Sequence, residues 1–368
     1  MLILRNRTVI EMHRGIKAFL NVDAGLTSGQ VPGSQPRPAA PTASDPLLRK
    51  ELGSIRQQLR SKEAELARLR EELEHAGGGC SADRVKPQNM IWIFGAGRTG
   101  SSWLSAMMAD LEGHNRWNEP YVGNLLGASY YVNVGERMRA RDDFIFGERY
   151  RDAWLNSIRN FVLEGANVRF SGMDKGGYLV IKEPNGSMGA PLVMKALPES
   201  RMVLLVRDPR DVVSSALAAQ RKGSWGDQWR ANRGGESLAD TDPDEFVRRW
   251  SNSLMLNLGK SKEAYETHRG FKTVVRYEDL REHTLETMRR LYSHLEIPVD
   301  AGSLAYVVEK YSWENVPEVK KGPDKPHRKA TPGGWREDLL AGQARVVEEI
   351  TASILDDFYP GWEQSEKS

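Results

Sequence analysis

Residue types suited to handling anions cluster at several places along this chain. The first is Ile91-Trp-Ile-Phe-Gly-Ala-Gly-Arg-Thr-Gly-Ser-Ser-Trp-Leu104, an apolar run that passes through a glycine-rich turn into a helical pattern. Gly95, Gly97 and Gly100 satisfy the G-x-G-x-x-G spacing of a dinucleotide site, and Gly95 to Gly100 also has the outer glycine spacing of a P-loop. Neither template fits cleanly. A nucleoside-triphosphate P-loop places Lys after its last glycine to reach the terminal phosphates, followed by a magnesium-binding hydroxyl. Here Ser101 stands at the Lys position, and the cation, Arg98, lies inside the loop. Ser101 and Ser102 open the helix with hydroxyls and N–H groups directed at an anion, which suits a smaller, less charged group than a triphosphate. A dinucleotide site wants an acid about twenty residues on, at the end of a second apolar strand. Glu119 has the distance, but Asp110 to Pro120 is polar and reads as a turn.

The second cluster is Val206-Arg-Asp-Pro-Arg-Asp-Val-Val-Ser-Ser215. Pro209 suits a first helical turn and Asp208 its cap, so Arg207 at the strand end can approach a phosphate while Ser215 offers a hydroxyl from the helix. The third is Arg328-Lys-Ala-Thr-Pro-Gly-Gly-Trp335, basic and then glycine-rich. Lys182, in Val180-Ile-Lys-Glu-Pro184, closes another apolar run, and so emerges at the carboxyl edge of a sheet, where open α/β sheets bind ligands.

Taken in order, these segments resemble the sulfotransferases that use 3′-phosphoadenosine 5′-phosphosulfate (PAPS). Arg98-Thr-Gly-Ser-Ser-Trp103 is similar to that family's 5′-phosphosulfate loop, with Arg where the cytosolic enzymes have Lys, as in the tyrosylprotein and carbohydrate branches. The resemblance implies that Gly97, Arg98, Thr99, Gly100, Ser101 and Ser102 hold the 5′ end of the donor. It gives the 3′-phosphate to Arg207 and Ser215, at the matching spacing of eight, and places Tyr277, in Val275-Arg-Tyr-Glu-Asp-Leu280, near the adenine. Arg328 and Lys329 correspond to a segment that closes over the nucleotide. That segment departs at Ala330, where the family has Gly, and Ala tolerates positive φ poorly. The resemblance covers about residues 88 to 362.

Sulfuryl transfer needs a cradle for the leaving phosphate, positive charge at the bridging oxygen and a base for the acceptor hydroxyl. The resemblance makes Glu119 the base, in a turn that Pro120 keeps non-helical, with His114 as the rival. It assigns Arg98 and Lys182 to the charge on the leaving group. These side chains supply what magnesium supplies in NTPases, so no metal is called for. The implied reaction moves a sulfuryl group from PAPS to a hydroxyl of a carbohydrate, phenol or peptide and releases adenosine 3′,5′-bisphosphate. Residues 121–151 and 223–240, with their Trp, Tyr and Arg, are the expected acceptor walls. A P-loop nucleotide or small-molecule kinase is the alternative enzyme, disfavoured by Ser101. A coiled-coil adaptor with an inactive nucleotide-binding domain is the alternative outside enzymology.

The elements that must position these residues are legible in outline. Met90–Phe94, Leu179–Lys182, Met202–Val206 and Thr273–Arg276 read as buried strands, and Pro191–Leu197, Pro209–Gln220 and Asp244–His268 as helices. The expected fold is α/β: a P-loop NTPase-like three-layer domain with a mostly parallel sheet, over residues 88–362. Before it, residues 1–46 read as a flexible tail and linker and 76–87 as a glycine-rich linker containing the single cysteine, Cys80. Between them, over residues 47–75, Leu52, Leu59, Leu66 and Leu73 occupy a-type heptad positions and Leu48, Ile55, Lys62 and Leu69 d-type ones, which predicts a coiled coil and a homodimer. The charged start of the chain, with Arg5, Arg7, Glu11, Arg14 and Lys17, lacks the apolar core of a signal peptide or membrane span, so a cytoplasmic location is expected. A net charge of +2 gives no global reason to expect nucleic-acid binding.

Overall fold

The computed structural model describes residues 54, 57–62, 64–65 and 85–362, except 174–175, 233, 235, 323 and 326–330. Arg328, Lys329 and Ala330 therefore lie outside the described residues, as does most of the predicted coiled coil. Residues 54, 57–62 and 64–65 are helical and exposed, and Lys62 pairs with Glu65 at 2.6 Å.

Residues 85–362 are built on five parallel strands: β1 (Met90–Phe94), β2 (Asn115–Asn118), β3 (Leu179–Lys182), β4 (Arg201–Val206) and β5 (Lys272–Arg276), in the spatial order β2-β3-β1-β4-β5. β1 and β4 are neighbours, and their connections leave toward opposite edges of the sheet, so a crevice opens beyond their carboxyl ends. Side chains alternate between the two faces. Ile91, Ile93, Val203, Leu205 and Val275 pack with Leu104, Met107 and Met108 of α1 (Ser101–Ala109) on one side. Met90, Trp92, Phe94, Leu179, Ile181 and Met202 pack on the other, against Val162 and Ala166 of α2 (Arg151–Arg169) and Val193 and Met194 of α3 (Ala190–Ala196). Leu204 and Val206 meet a further cluster with Val212 and Val213 of α4 (Pro209–Gln220) and Val247 and Leu254 of α5 (Pro243–Thr267). Helices thus cover both faces of the sheet, giving the expected three layers.

Two boundaries differ from the sequence reading. Asn115–Asn118 is a strand, paired with β3 through Asn115 to Leu179 and Asn118 to Lys182, and not part of a turn. As an edge strand with alternate residues exposed, it needs no apolar run. The folded chain is also engaged before residue 88, since Val85 is buried in the core and its N–H donates to Asn167 Oδ1 at 2.7 Å.

Candidate active site

The loop after β1 is shaped by close backbone approach. A Cβ at Gly95 would meet the carbonyl oxygen of Leu205 at 2.2 Å, so only glycine lets the turn press against β4. Gly100 has φ +86°, and a Cβ there would meet Cδ2 of Tyr277 at 2.7 Å. The Tyr277 ring therefore lies directly on the loop. Gly95 N–H donates to Ser187 Oγ, and Thr99, fully buried, donates its hydroxyl to the carbonyl of Ala96 at 2.7 Å. Among the loop residues predicted to bind, Thr99 is thus the one whose side chain serves the loop itself. Arg98 sits at φ +71°, a costly conformation for a residue with a side chain, of the kind that concentrates at functional sites. Ser101 and Ser102 form the first turn of α1, whose leading N–H groups have no preceding turn to bond.

Beside the loop, the second motif folds as its chemistry suggests. Asp208 caps α4 by accepting from Arg210 N–H, with Pro209 in the first turn. Arg210 is buried between Asp208 and Glu348 and stacks on Trp335, so it is a structural cation. Arg207 lies over the Tyr277 ring at 4.3 Å and donates from Nη1 to the Arg98 carbonyl at 3.1 Å, while its Nε is buried with no partner among the described residues. Arg98 in turn donates from Nε to Ser215 Oγ at 3.1 Å and stacks on Trp225, 4.6 Å from the ring centre. Arg98, Arg207, Ser215 and Tyr277 are therefore one cluster. Asp211, one turn before Ser215, accepts the N–H groups of Gly333 and Trp335, and burial raises its carboxyl against the pull of Arg207. The stretch just after Arg328 and Lys329 is pinned to the same helix.

The other half of the site is at the ends of β2 and β3. Lys182 Nζ is 2.6 Å from Glu119 Oε1 and 3.3 Å from Ser102 Oγ, both within donating distance, and the pair is largely buried. Glu119 N–H donates to the Lys182 carbonyl, and Tyr121 donates its hydroxyl to Glu119 Oε2 at 3.1 Å. Burial works to raise the Glu119 carboxyl, but its bond to Lys182, that cation's charge and the Tyr121 and Asn185 side chains outweigh it and hold the group below its ordinary value. Glu183, the next residue after Lys182, is buried, and burial pushes it up to about 8. His114 stands at the amino end of β2, the sheet's opposite edge, packed against Tyr178 and Tyr292. Burial lowers its imidazole. The strand separates this rival base from the loop.

The glycine loop, the Arg98–Arg207–Ser215–Tyr277 cluster and the Lys182–Glu119 pair open on one cavity of about 690 Å³. Its walls include Gly97, Arg98, Gly100, Ser101, Ser102, Glu119, Lys182, Arg207, Ser215 and Tyr277, but not Thr99. Of the expected acceptor segments, Tyr121, Trp225, Trp229 and Arg230 line it, and 122–151 do not. Phe246 and Trp250, stacked on α5, and Ala216 and Ala219 on α4 complete that side. Sequence reasoning missed them, although Asp211, Ser215 and Ala219 recur at steps of four, the signature of one helix face.

A glycine loop between a parallel strand and a helix, joined by two arginines, a hydroxyl and a lysine–glutamate pair at the next strand ends, defines an α/β nucleotide-dependent group-transfer enzyme of the P-loop-like kind. Residues 90–301 match the profile described as the Sulfotransferase family, and the chain belongs to that family. It is therefore an enzyme of sulfuryl transfer, with PAPS the donor that the sequence resemblance implies. Similar solved structures include mouse sulfotransferase SULT7A1 complexed with PAP, 14% identical over 78% of this chain and 92% of that one, TM-score 0.48. Sulfotransferase STF9 from Mycobacterium avium is 16% identical over 80% and 81%, TM-score 0.49. Retinol dehydratase in complex with retinol and PAP is 14% identical over 76% and 84%, TM-score 0.43. A search of curated proteins by sequence returns no match.

Proposed function

We propose that this enzyme transfers the sulfuryl group of PAPS to an acceptor hydroxyl, with Glu119 as base and with Lys182 and Arg98 as the cations at the leaving group. The observation that carries the reading is the Lys182–Glu119 pair, which faces the same cavity as the glycine loop and the Arg98–Arg207–Ser215 cluster. The site's chemistry fits the donor. Arg207, whose buried Nε has no partner among the described residues, lines the cavity together with Ser215, a donor set for a phosphate. Gly97, Arg98, Gly100, Ser101 and Ser102 present a turn and a helix start to a second anion. Tyr277, pressed on Gly100 and covered by Arg207, lines the same cavity, and the resemblance places it near the adenine and has Arg328 and Lys329 complete the nucleotide side. PAPS supplies an activated sulfuryl group on its 5′-phosphate. Lys182 holds positive charge where negative charge grows, and Glu119 takes the proton of the attacking hydroxyl.

The side of the cavity beyond Ser215, with Trp229, Phe246 and Trp250, suits an acceptor that carries a ring, a property shared by carbohydrates, phenols and tyrosine peptides. The proposed homodimer rests on the heptads from Leu48 to Leu73. A screen with sulfur-labelled PAPS over carbohydrate, phenol and tyrosine-peptide acceptors, run on wild type and Glu119→Gln, tests the function. Label transfer that Glu119→Gln abolishes is expected, and transfer unaffected by that change would remove Glu119 from the mechanism.

A further inference from the structure

The turn that presents Glu119 is strained at two residues. Glu119 has φ +50° and Tyr121 φ +61°, on either side of Pro120, and such a left-handed pair persists only when its surroundings over-determine it. What holds the Tyr121 end is Glu183. Its Oε2 accepts the Tyr121 N–H at 3.0 Å, the first donor before the short helix α6 (Val122–Gly127), which has no intrahelical partner. Its Oε1 is buried with no partner among the described residues. The backbone of Glu183 is fixed in turn, because its N–H donates to the Ile93 carbonyl of β1 and its carbonyl accepts from Ser187, the residue that also receives Gly95 N–H. Space around the carboxyl is fully taken, since a Cβ at Gly186 would fall 2.0 Å from Oε1. Tyr121 is thus gripped by two carboxylates, its N–H by Glu183 and its hydroxyl by Glu119.

We infer that Glu183 is a positioning residue: by holding the N–H of Tyr121 it fixes the strained turn, so that the Tyr121 hydroxyl stays on Glu119 and Glu119 stays on Lys182. The inference rests on the reading of Glu119 as base, yet it can be measured without turnover. Its environment agrees with this role. The groups facing Glu183 are Lys182, Glu119 and the N–H groups of Tyr121 and Gly123; burial, joined by the negative charge of Glu119, outweighs Lys182 and the two N–H groups in keeping its proton on. A carboxyl that stays protonated near neutrality holds the turn without placing a second negative charge beside the base.

The test is the titration of Glu119 followed by NMR on protein labelled with ¹³C at glutamate Cδ, the resonance being assigned by its loss in Glu119→Gln. Glu183→Leu removes the acceptor for Tyr121 N–H, so the Glu119 titration should move up toward the ordinary value of a glutamate. Glu183→Gln keeps an acceptor oxygen and should return it to the wild-type position. Tyr121→Phe, which deletes only the hydroxyl, should move it upward as well and serves if Glu183→Leu does not fold. Affinity for adenosine 3′,5′-bisphosphate should stay within about threefold of wild type in the Glu183 and Tyr121 variants, because neither side chain touches the Arg207–Ser215 cluster. A Glu119 titration unchanged in Tyr121→Phe and Glu183→Leu, or moved as far by Glu183→Gln as by Glu183→Leu, would overturn the role. Label transfer surviving in Glu119→Gln would instead sink the base assignment, so the two failures are separate.

Discussion

Arg207→Ala separates a phosphate ligand from a scaffold residue. Arg207 makes a neutral-acceptor bond to the Arg98 carbonyl at 3.1 Å, and its distance to Asp211, 3.8 Å, is too long for a tight ion pair. Losing the first loosens the loop by about 0.5 to 1.5 kcal/mol, a cost paid by any ligand that needs the loop in place. If the buried Nε, without a partner among the described residues, receives the ligand as proposed, a charge-assisted bond to a 3′-phosphate adds about 1.5 to 3 kcal/mol. Calorimetric titration with two nucleotides distinguishes these contributions. Adenosine 5′-phosphate should lose only the loop part, roughly 2- to 13-fold, whereas adenosine 3′,5′-bisphosphate should lose about 10- to 150-fold beyond that. Equal losses for the two ligands would refute the assignment and leave Arg207 as a clamp on the loop.

Glu119→Gln keeps the shape of the base but not its proton affinity, so turnover should fall by roughly 10² to 10⁴ while PAPS binding is retained or tightened as Lys182 is released; His114→Ala, at the far end of β2, should do much less, and the reverse pattern would exchange their roles. For Glu183, whose folded value of about 8 lies above that of an unfolded glutamate, the native state keeps a proton that the unfolded chain has lost between pH 4.5 and about 8. Its contribution to stability therefore falls as pH rises through that window, by about 1.4 kcal/mol per unit, and levels off above it. Thermal melts of Glu183→Gln should gain on wild type from pH 5 to 8, and a constant difference would mean that the carboxyl is ionised in the fold. Truncation just before Val85, which keeps its bond to Asn167, should give a folded, nucleotide-binding monomer, and Lys62→Leu should strengthen association of the full chain; light scattering checks both.

What could be read in the sequence follows from how each element is buried. β1 and β3 lie between two helical layers, so they appear as unbroken apolar runs with sharp ends, and Lys182 could be placed at a strand end from sequence alone. Pro209–Gln220 is legible through its Asp208 cap and its proline. Asn115-Arg-Trp-Asn118 is not, because an edge strand that half faces solvent is specified by pairing with β3 and carries no signal of its own. The same holds within the site. Arg98, Arg207 and Ser215 act through their own side chains, and type and spacing betray them. Glu183, completely buried, holds a backbone N–H in a strained turn, and neither burial nor strain is written in a residue's identity.

The roles proposed for Lys182 and Glu119 are exclusive of each other while the pair is closed at 2.6 Å. A lysine bonded to a carboxylate has its charge largely neutralised, and a glutamate held below its ordinary value by that lysine is a weak base at neutral pH. Negative charge brought to the Ser102 side of Lys182, 3.3 Å from its Nζ, competes directly with Glu119 for the ammonium. As Lys182 turns to it, Glu119 loses its main stabilising partner and its proton affinity rises, while the Tyr121 hydroxyl and the Glu183 grip keep it in place. If Glu119 is the base proposed above, donor binding would raise its proton affinity, whereas an acceptor that arrives first would meet a carboxylate still bonded to the lysine. On the roles proposed above, the pair therefore favours donor before acceptor, and initial-rate kinetics with product inhibition tests that order; random addition would refute it.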